Sequence, residues 1–251
     1  MNESRQAADA FDIAARHWLA KRGKKKVKFV LERDDGAGIE DFIDNYVYKG
    51  SSSLFGLERR LLNYIKSPVL DLGCGAGRVA IPLCRAGHSV MGIDISGSIL
   101  RIGRDNSKDC HIPFIQMSMN QLGFAPDTFS TIICMHNTIG VTENLGGLKT
   151  LLHQLRRPCM KGGYLVLTSI DVTRYPDYET YFLKNFQKGR AMGQVRMRIR
   201  FGKIMGDWFD WLYVLPDDLA RIASETGWKA ADIFYDVNDS RTYAAVLQNG
   251  R

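Results

Sequence analysis

The chain has 251 residues, 45% hydrophobic and 24% charged, with 7 prolines and 24 glycines, an ordinary globular composition long enough to bury a full core without staples. Its longest apolar runs, such as Tyr164 to Leu167, fall far short of the roughly 20 residues a bilayer crossing needs, so no membrane partner is expected. The formal charge of +7 rests on Lys21, Arg22, Lys24, Lys25, Lys26 and Lys28, and without those six the chain has 28 basic residues against 27 acidic ones, which makes overall basicity a weak argument for nucleic acid.

The first dozen residues mix charged and polar side chains with no secretory apolar stretch, which predicts a cytoplasmic location. Asp9 to Arg22 then reads as a helix, with Phe11, Ala14, Ala15, Trp18 and Leu19 at the spacing of one apolar face. The lysines that follow are its solvated charged end, in preference to a membrane-surface patch. Gly50-Ser51-Ser52-Ser53 precedes a second predicted helix, Leu54 to Ile65, with Ser53 as N-cap.

From Pro68 the pattern becomes regular. Val69 to Leu72, His88 to Ile93, Pro113 to Met117, Phe129 to Met135 and Tyr164 to Ile170 read as strands. Helices are expected at Ala76 to Ala86, Ser98 to Asp105 and Leu148 to Leu155. Such alternation implies βαβ units, and therefore an α/β fold with helices on both faces of a parallel sheet. Beyond Asp171 the rhythm breaks. Thr173 to Gly189 carries Tyr175, Tyr178, Tyr181, Phe182 and Phe186. Val195 to Phe201 alternates Val195, Met197, Ile199 and Phe201 with Arg196, Arg198 and Arg200, and is expected to form a hairpin with Asp207 to Val214. Pro216 opens a helix to about Glu225, and Trp228 to Tyr235 and Thr242 to Leu247 read as closing strands. Five cysteines with no Cys-x-x-Cys pair and no histidine at ligand spacing argue against disulfides and zinc.

The strongest local signal is Val69-Leu70-Asp71-Leu72-Gly73-Cys74-Gly75-Ala76-Gly77-Arg78. A strand enters, three glycines alternate and a helix leaves, which lets main-chain N–H groups approach a ligand closely. A dinucleotide fingerprint needs its last glycine where Arg78 stands, and Asp71 would oppose a pyrophosphate. Asp71 suits a ligand that carries a cation. Asp94 ends the second strand about 20 residues on, where an acid accepts both hydroxyls of a ribose; the alternative is a turn or helix-cap aspartate.

These residues resemble the first motif of the class I S-adenosylmethionine-dependent methyltransferases, to which Asp71, Gly73, Gly75 and Gly77 correspond. The resemblance covers Pro68 to about Ile170, and Pro216 to Leu247 fits the family's closing order. It implies a doubly wound, Rossmann-like, mostly parallel seven-stranded sheet with an antiparallel last strand. It further implies S-adenosyl-L-methionine as cofactor and S-adenosyl-L-homocysteine as product, with the Gly73-Cys74-Gly75 turn against the methionine moiety and Asp94 on the ribose. The family's adenine-binding aspartate is replaced here by Ser118, so Ser118 or Asn120 would take the adenine amine, and Ile95 and Met119 would flank the ring unless they are plain core. Residues 1–66 would supply N-terminal helices and a lid, 67–171 with 214–251 the catalytic core, and 172–213 an inserted cap.

The loop after the fourth strand, His136-Asn137-Thr138-Ile139, should face the reacting methyl and lacks the Asn-Pro-Pro-aromatic pattern of base-methylating relatives. His136 is the candidate general base; a histidine that only bonds the backbone is the alternative. Tyr46 and Tyr48, with the segment Lys49 to Ser53, are placed to form a lid, and Tyr175, Tyr178, Trp208, Trp211 and Tyr213, with Asn137, to line an acceptor cavity. A small-molecule acceptor methylated on nitrogen or oxygen is expected. An RNA acceptor gripped by the basic patches is the alternative, and a cofactor-binding protein without turnover is a third reading.

Overall fold

The computed structural model describes residues 3–21, 23–48, 54, 56–175 and 179–251. The segment 49–53, the Ser53 cap and Tyr178 lie outside the described residues. Helix α1 (Glu3–Ala20) leads into a hairpin of β1 (Lys28–Arg33) and β2 (Gly38–Phe42), followed by a 3-10 turn at Ile43–Tyr46. Then come α2 (Gly56–Leu61), β3 (Val69–Leu72), α3 (Ala80–Arg85), β4 (Val90–Asp94), α4 (Gly97–Asn106), β5 (Phe114–Gln116), β6 (Phe129–Cys134), α5 (Leu145–Leu155) and β7 (Cys159–Ile170). The chain closes with α6 (Glu179–Gln187), β8 (Gln194–Phe201), β9 (Ile204–Met205), β10 (Phe209–Leu212), α7 (Pro216–Glu225), β11 (Trp228–Tyr235) and β12 (Thr242–Asn249).

Seven strands form one sheet in the order β11-β12-β7-β6-β3-β4-β5. β3, β4, β5, β6 and β7 run parallel, and β12 inserts antiparallel between β7 and β11. All four residues of β3 are buried, as a central strand covered by helices on both faces requires. Order reverses at β3, whose neighbours are β4 and β6, and the crevice beyond the carboxyl ends of such strands is where open α/β sheets bind ligands.

The sheet class agrees with the sequence reading, whereas several boundaries differ. Helix α3 begins at Ala80 instead of Ala76, because Ala76 and Gly77 bridge to Val47 and hold the loop open. α2 stops at Leu61 and continues only as a 3-10 turn to Tyr64. The larger difference is the β1–β2 hairpin, which falls inside residues expected to be helices and lid. It joins the expected β8–β10 hairpin in a second sheet, β10-β8-β1-β2, with β9 beside β8. β1 and β8 pair antiparallel across Leu31 and Ile199.

Helix α1 packs on this second sheet through Ala10, Ala14 and Ala15, in one cluster with Phe29, Val195, Met197 and Ile199. Its Asp12 carboxylate reaches the core: Oδ1 accepts from Ser96 Oγ (2.6 Å) and Ser98 N–H (3.1 Å). Ser96 in turn caps α4 by accepting from Ile99 N–H at 3.2 Å. The N-terminal helix is thereby tied to the strand end that carries Asp94.

Candidate active site

The glycine loop takes the conformation its composition permits. Gly73, Gly75 and Gly77 all have positive φ (65°, 56° and 78°), a region that residues with a Cβ seldom enter. At Gly73 a Cβ would also lie 2.2 Å from Thr138 Cγ2. The loop is fixed to the neighbouring strand by Cys74 N–H donating to Ile93 O (2.9 Å) and Gly75 N–H donating to Asp94 Oδ2 (3.0 Å). Asp94 Oδ1 accepts from Ser96 N–H at 2.9 Å. Burial, the largest influence, raises the Asp94 carboxyl above its ordinary range, while those backbone donors oppose the shift.

A cavity of about 520 Å³ opens over this loop. Asp71, Gly73, Cys74, Gly75, Asp94, Ile95, Ser118, Met119 and Asn120 line it; of the residues expected to meet the cofactor only Gly77 does not, because it turns toward Ile81 and Phe114, each 2.9 Å from where its Cβ would stand. Asp71 is 3% exposed, and its Oδ2 has no hydrogen-bond partner. Burial pushes its carboxyl up to about 8, with Arg78 opposing the rise and Glu58 and Asp94 adding to it. An unsatisfied buried carboxylate oxygen costs free energy until a cation reaches it. The α-ammonium of a methionine moiety meets that requirement, and the left-handed glycine loop leaves room for it.

The far wall is the inward face of the second sheet. Side chains alternate across a strand, and the registers Phe29↔Asp41, Leu31↔Ile199, Met197↔Phe209 and Val195↔Trp211 put these residues on one face. Phe11 from α1 joins them, with its ring edge-on to Phe29 (5.6 Å) and to Tyr46 (5.3 Å). The opposite face carries Arg196 against Asp210 (3.5 Å), Arg198 against Glu32 (2.8 Å) and Arg200 against Glu32 (3.6 Å). The arginine strip therefore points away from the cavity and is met by acids.

Tyr46, Tyr175, Trp211 and Tyr213 line the cavity, as do His136 and Asn137. Two expected acceptor residues do not. Trp208 is stacked under Arg198 (4.5 Å) on the outward face, because it precedes Phe209 and Trp211 out of phase with them. Tyr48 accepts from Arg85 Nη1 (2.6 Å) and lies beneath that guanidinium (4.6 Å), a surface packing role.

His136 and Asn137 follow β6 in successive left-handed conformations (φ 57° and 56°), strain of the kind that gathers at functional sites. His136 N–H donates to Thr168 Oγ1 (2.7 Å), and Asn137 Oδ1 accepts from Ser169 Oγ (2.7 Å). The His136 ring lies 5.6 Å from that of Tyr46. Burial first, then the positive charge of Arg78, lowers its pKa, which keeps the imidazole neutral and able to accept a proton at neutral pH.

Sequence reading gave Phe11 only a place on the apolar face of the first helix, and did not single out Phe29, Asp41 or the buried pairing of Arg78 with Glu58. The Asp35-Gly36 turn between the alternating segments around Phe29 and Ile39 was the available hairpin signal, and it would have placed Phe29 and Asp41 on a common face.

Residues 69–163 match the family model described as a methyltransferase domain. The solved S-adenosylmethionine-dependent methyltransferase from Bacteroides fragilis, in complex with S-adenosyl-L-homocysteine, has a TM-score of 0.79 at 23% identity and covers 98% of this chain and 96% of its own. A ubiquinone biosynthesis O-methyltransferase from Proteus mirabilis is 24% identical over 68% of this chain, and the match spans 62% of the length of that relative. A demethylmenaquinone methyltransferase from Renibacterium salmoninarum is 24% identical over 66% of this chain and 68% of its own. Motif, strand order and these likenesses agree: residues 69–163 are a methyltransferase domain, and the chain has the fold of the class I S-adenosylmethionine-dependent methyltransferases.

Proposed function

We propose that the protein transfers a methyl group from S-adenosyl-L-methionine to a nitrogen or oxygen of a small molecule with an apolar body. The observation that carries this reading is the shared wall of one cavity: the Asp94 carboxylate bonded to the glycine loop, the unpartnered Asp71 Oδ2 beneath it, and an aromatic cap facing both. In this reading Asp71 takes the ammonium, Asp94 the ribose hydroxyls, Ile95 and Met119 the faces of the adenine, and Ser118 or Asn120 its amine. When bound, the cofactor supplies a methyl carbon made electrophilic by the adjacent sulfonium. The protein's main contribution is then alignment of the acceptor, which can supply roughly 7–11 kcal/mol of the barrier. Tyr46, Tyr175 and Trp211 hold the acceptor's body, and His136 accepts a proton at an imidazole nitrogen when the acceptor arrives protonated.

A small acceptor is favoured over RNA by the placement of the arginine strip on the outward face, paired with Glu32 and Asp210. A cavity within the roughly 300–1,000 Å³ of ligand sites favours turnover over binding alone. The test is calorimetric titration with S-adenosyl-L-homocysteine of the wild-type protein and of Asp94→Ala. Saturable binding that weakens at least about 100-fold in the variant is expected, since two charge-assisted hydrogen bonds at roughly 1.5–3 kcal/mol each are lost. No saturable binding by the wild type, or equal affinity in the variant, overturns the assignment.

A further inference from the structure

Asp41 is the one acidic residue on the inward face of the second sheet, set among Phe29, Leu31, Ile39, Met197, Ile199, Phe209 and Trp211. Its neighbours on the outward face are accounted for differently: Glu40 pairs with Lys28 (2.7 Å) and Glu32 with Arg198. Asp41 instead turns into the cavity and is built into place. Oδ1 accepts from Asn45 Nδ2 (2.7 Å) and Phe42 N–H (2.7 Å), and Oδ2 accepts from Tyr46 Oη (2.7 Å). A carboxylate has about four acceptor sites, so three donors orient it and leave capacity for a fourth.

The surroundings are those of a cation site. Phe11 packs edge-on against Phe29 and Tyr46 (interplanar 87° and 77°), and all three rings border the cavity beside Asp41, an aromatic lining of the kind that attracts an ammonium group. Arg78 is the one cationic side chain among the described residues lining the cavity, and its two terminal nitrogens donate to Glu58 at 2.7 and 2.6 Å. An anionic acceptor would meet the Asp41 and Glu143 carboxylates around the same cavity and be repelled by them.

Resting on the methyltransferase reading above, we propose that the acceptor is an amine on an apolar body, its ammonium held by Asp41 beside the aromatic wall of Phe11, Phe29 and Tyr46. The displaced N–H proton passes to the His136 imidazole and from there to water. The freed nitrogen lone pair forms the new N–C bond, and the electron pair of the broken C–S bond stays on sulfur. Asp41 thus selects nitrogen over oxygen by recognising the charge that an amine carries and an alcohol does not.

The test uses the protein saturated with S-adenosyl-L-homocysteine and three probes of one shape: phenethylamine, 2-phenylethanol and phenylacetate, titrated by calorimetry. Phenethylamine is expected to bind at least about tenfold more tightly than the alcohol, with phenylacetate weakest, and Asp41→Asn to abolish the difference while leaving affinity for the homocysteine product unchanged. Equal or tighter binding of the alcohol or the acid, no saturable binding of the amine, or an amine preference that survives Asp41→Asn overturns the proposal. The wild-type ranking is decisive even if the variant folds poorly. Failure to bind S-adenosyl-L-homocysteine at all would sink the methyltransferase reading instead, so the two outcomes are separable.

Discussion

Arg78 and Glu58 meet as a buried fork: Nη1 lies 2.7 Å from Oε2 and Nη2 2.6 Å from Oε1, with side chains 8% and 3% exposed. The pair joins the end of the glycine loop to α2 and stands behind both Asp71 and His136, whose charges it biases. Burying two ions is costly, and the arrangement is held by its bidentate geometry. Glu58→Gln removes the charge of the bidentate partner from a buried guanidinium and should cost about 3–5 kcal/mol. Glu58→Leu combined with Arg78→Met removes both ions and should recover most of that loss. Urea unfolding of the single and double variants measures this, and a double variant no more stable than the single one would contradict the ion-pair account.

The three loop glycines are not equivalent. A Cβ at Gly73 meets Thr138 Cγ2 at 2.2 Å, whereas at Gly75 the nearest heavy atom is Tyr46 O at 3.7 Å. Both positions carry the left-handed penalty of roughly 1–2 kcal/mol for a residue with a Cβ, but only Gly73 adds overpacking, roughly 1–3 kcal/mol more. Gly73→Ala should therefore destabilise clearly more than Gly75→Ala. Thr138→Ser, which keeps the hydroxyl that donates to Met135 O (2.6 Å) and deletes the clashing methyl, should restore part of the Gly73→Ala loss. Thermal unfolding of the four proteins decides it, and equal losses at the two glycines would refute the steric argument.

Asp71 gives a pH signature. Its folded pKa of about 8 stands above the ordinary 3.8, so between those values the native state binds more protons than the unfolded chain. Stability contributed by this group is therefore greatest at low pH, falls as pH rises toward 8, and is level above that. Asp71→Asn carries no charge to desolvate, so the ligand-free variant should gain on the wild type progressively from about pH 5 to pH 8. Cofactor affinity should move the other way. A bound ammonium favours the ionised carboxylate, so wild-type binding at pH 7 should release a proton, detectable as a dependence of the calorimetric heat on buffer ionisation enthalpy, and Asp71→Asn should bind less tightly and release none. A wild type that exchanges no proton on binding would argue that Asp71 does not face the cation.

What the sequence disclosed and what it withheld divide along range of contact. Asp71, the three glycines and Asp94 were legible because a strand, a tight turn and a helix start are written in consecutive residues, and the turn admits few conformations. The parallel core was legible for the same reason, from short apolar runs such as Val69 to Leu72. Asp41 and Phe29 were not, because their place depends on β1 pairing with β8 across more than 160 residues of chain, and nothing local records that partner. Trp208 and Tyr48 were misassigned because aromatic identity says a residue packs but not on which face; one residue of strand phase sends Trp211 to the cavity and Trp208 to Arg198.

His136 raises the question of how to remove an imidazole without disturbing the turn that carries it. Its φ of 57° is poorly tolerated by most residues but is accepted several-fold more readily by asparagine, and its backbone N–H must still reach Thr168 Oγ1. His136→Asn is therefore the informative change and His136→Ala the confounded one. With the base removed, turnover should fall by about 10²–10⁴, while affinity for S-adenosyl-L-homocysteine stays near the wild-type value. Because burial and Arg78 hold the imidazole below its ordinary 6.5, the protonated, inactive form appears only at lower pH, so the acid limb of wild-type kcat/KM should lie below pH 6.5. In His136→Asn that limb should vanish and activity should climb with pH as solvent deprotonates the acceptor, narrowing the gap to the wild type in alkaline buffer. An asparagine variant with full turnover at pH 7 would leave His136 only its structural task at the end of β6.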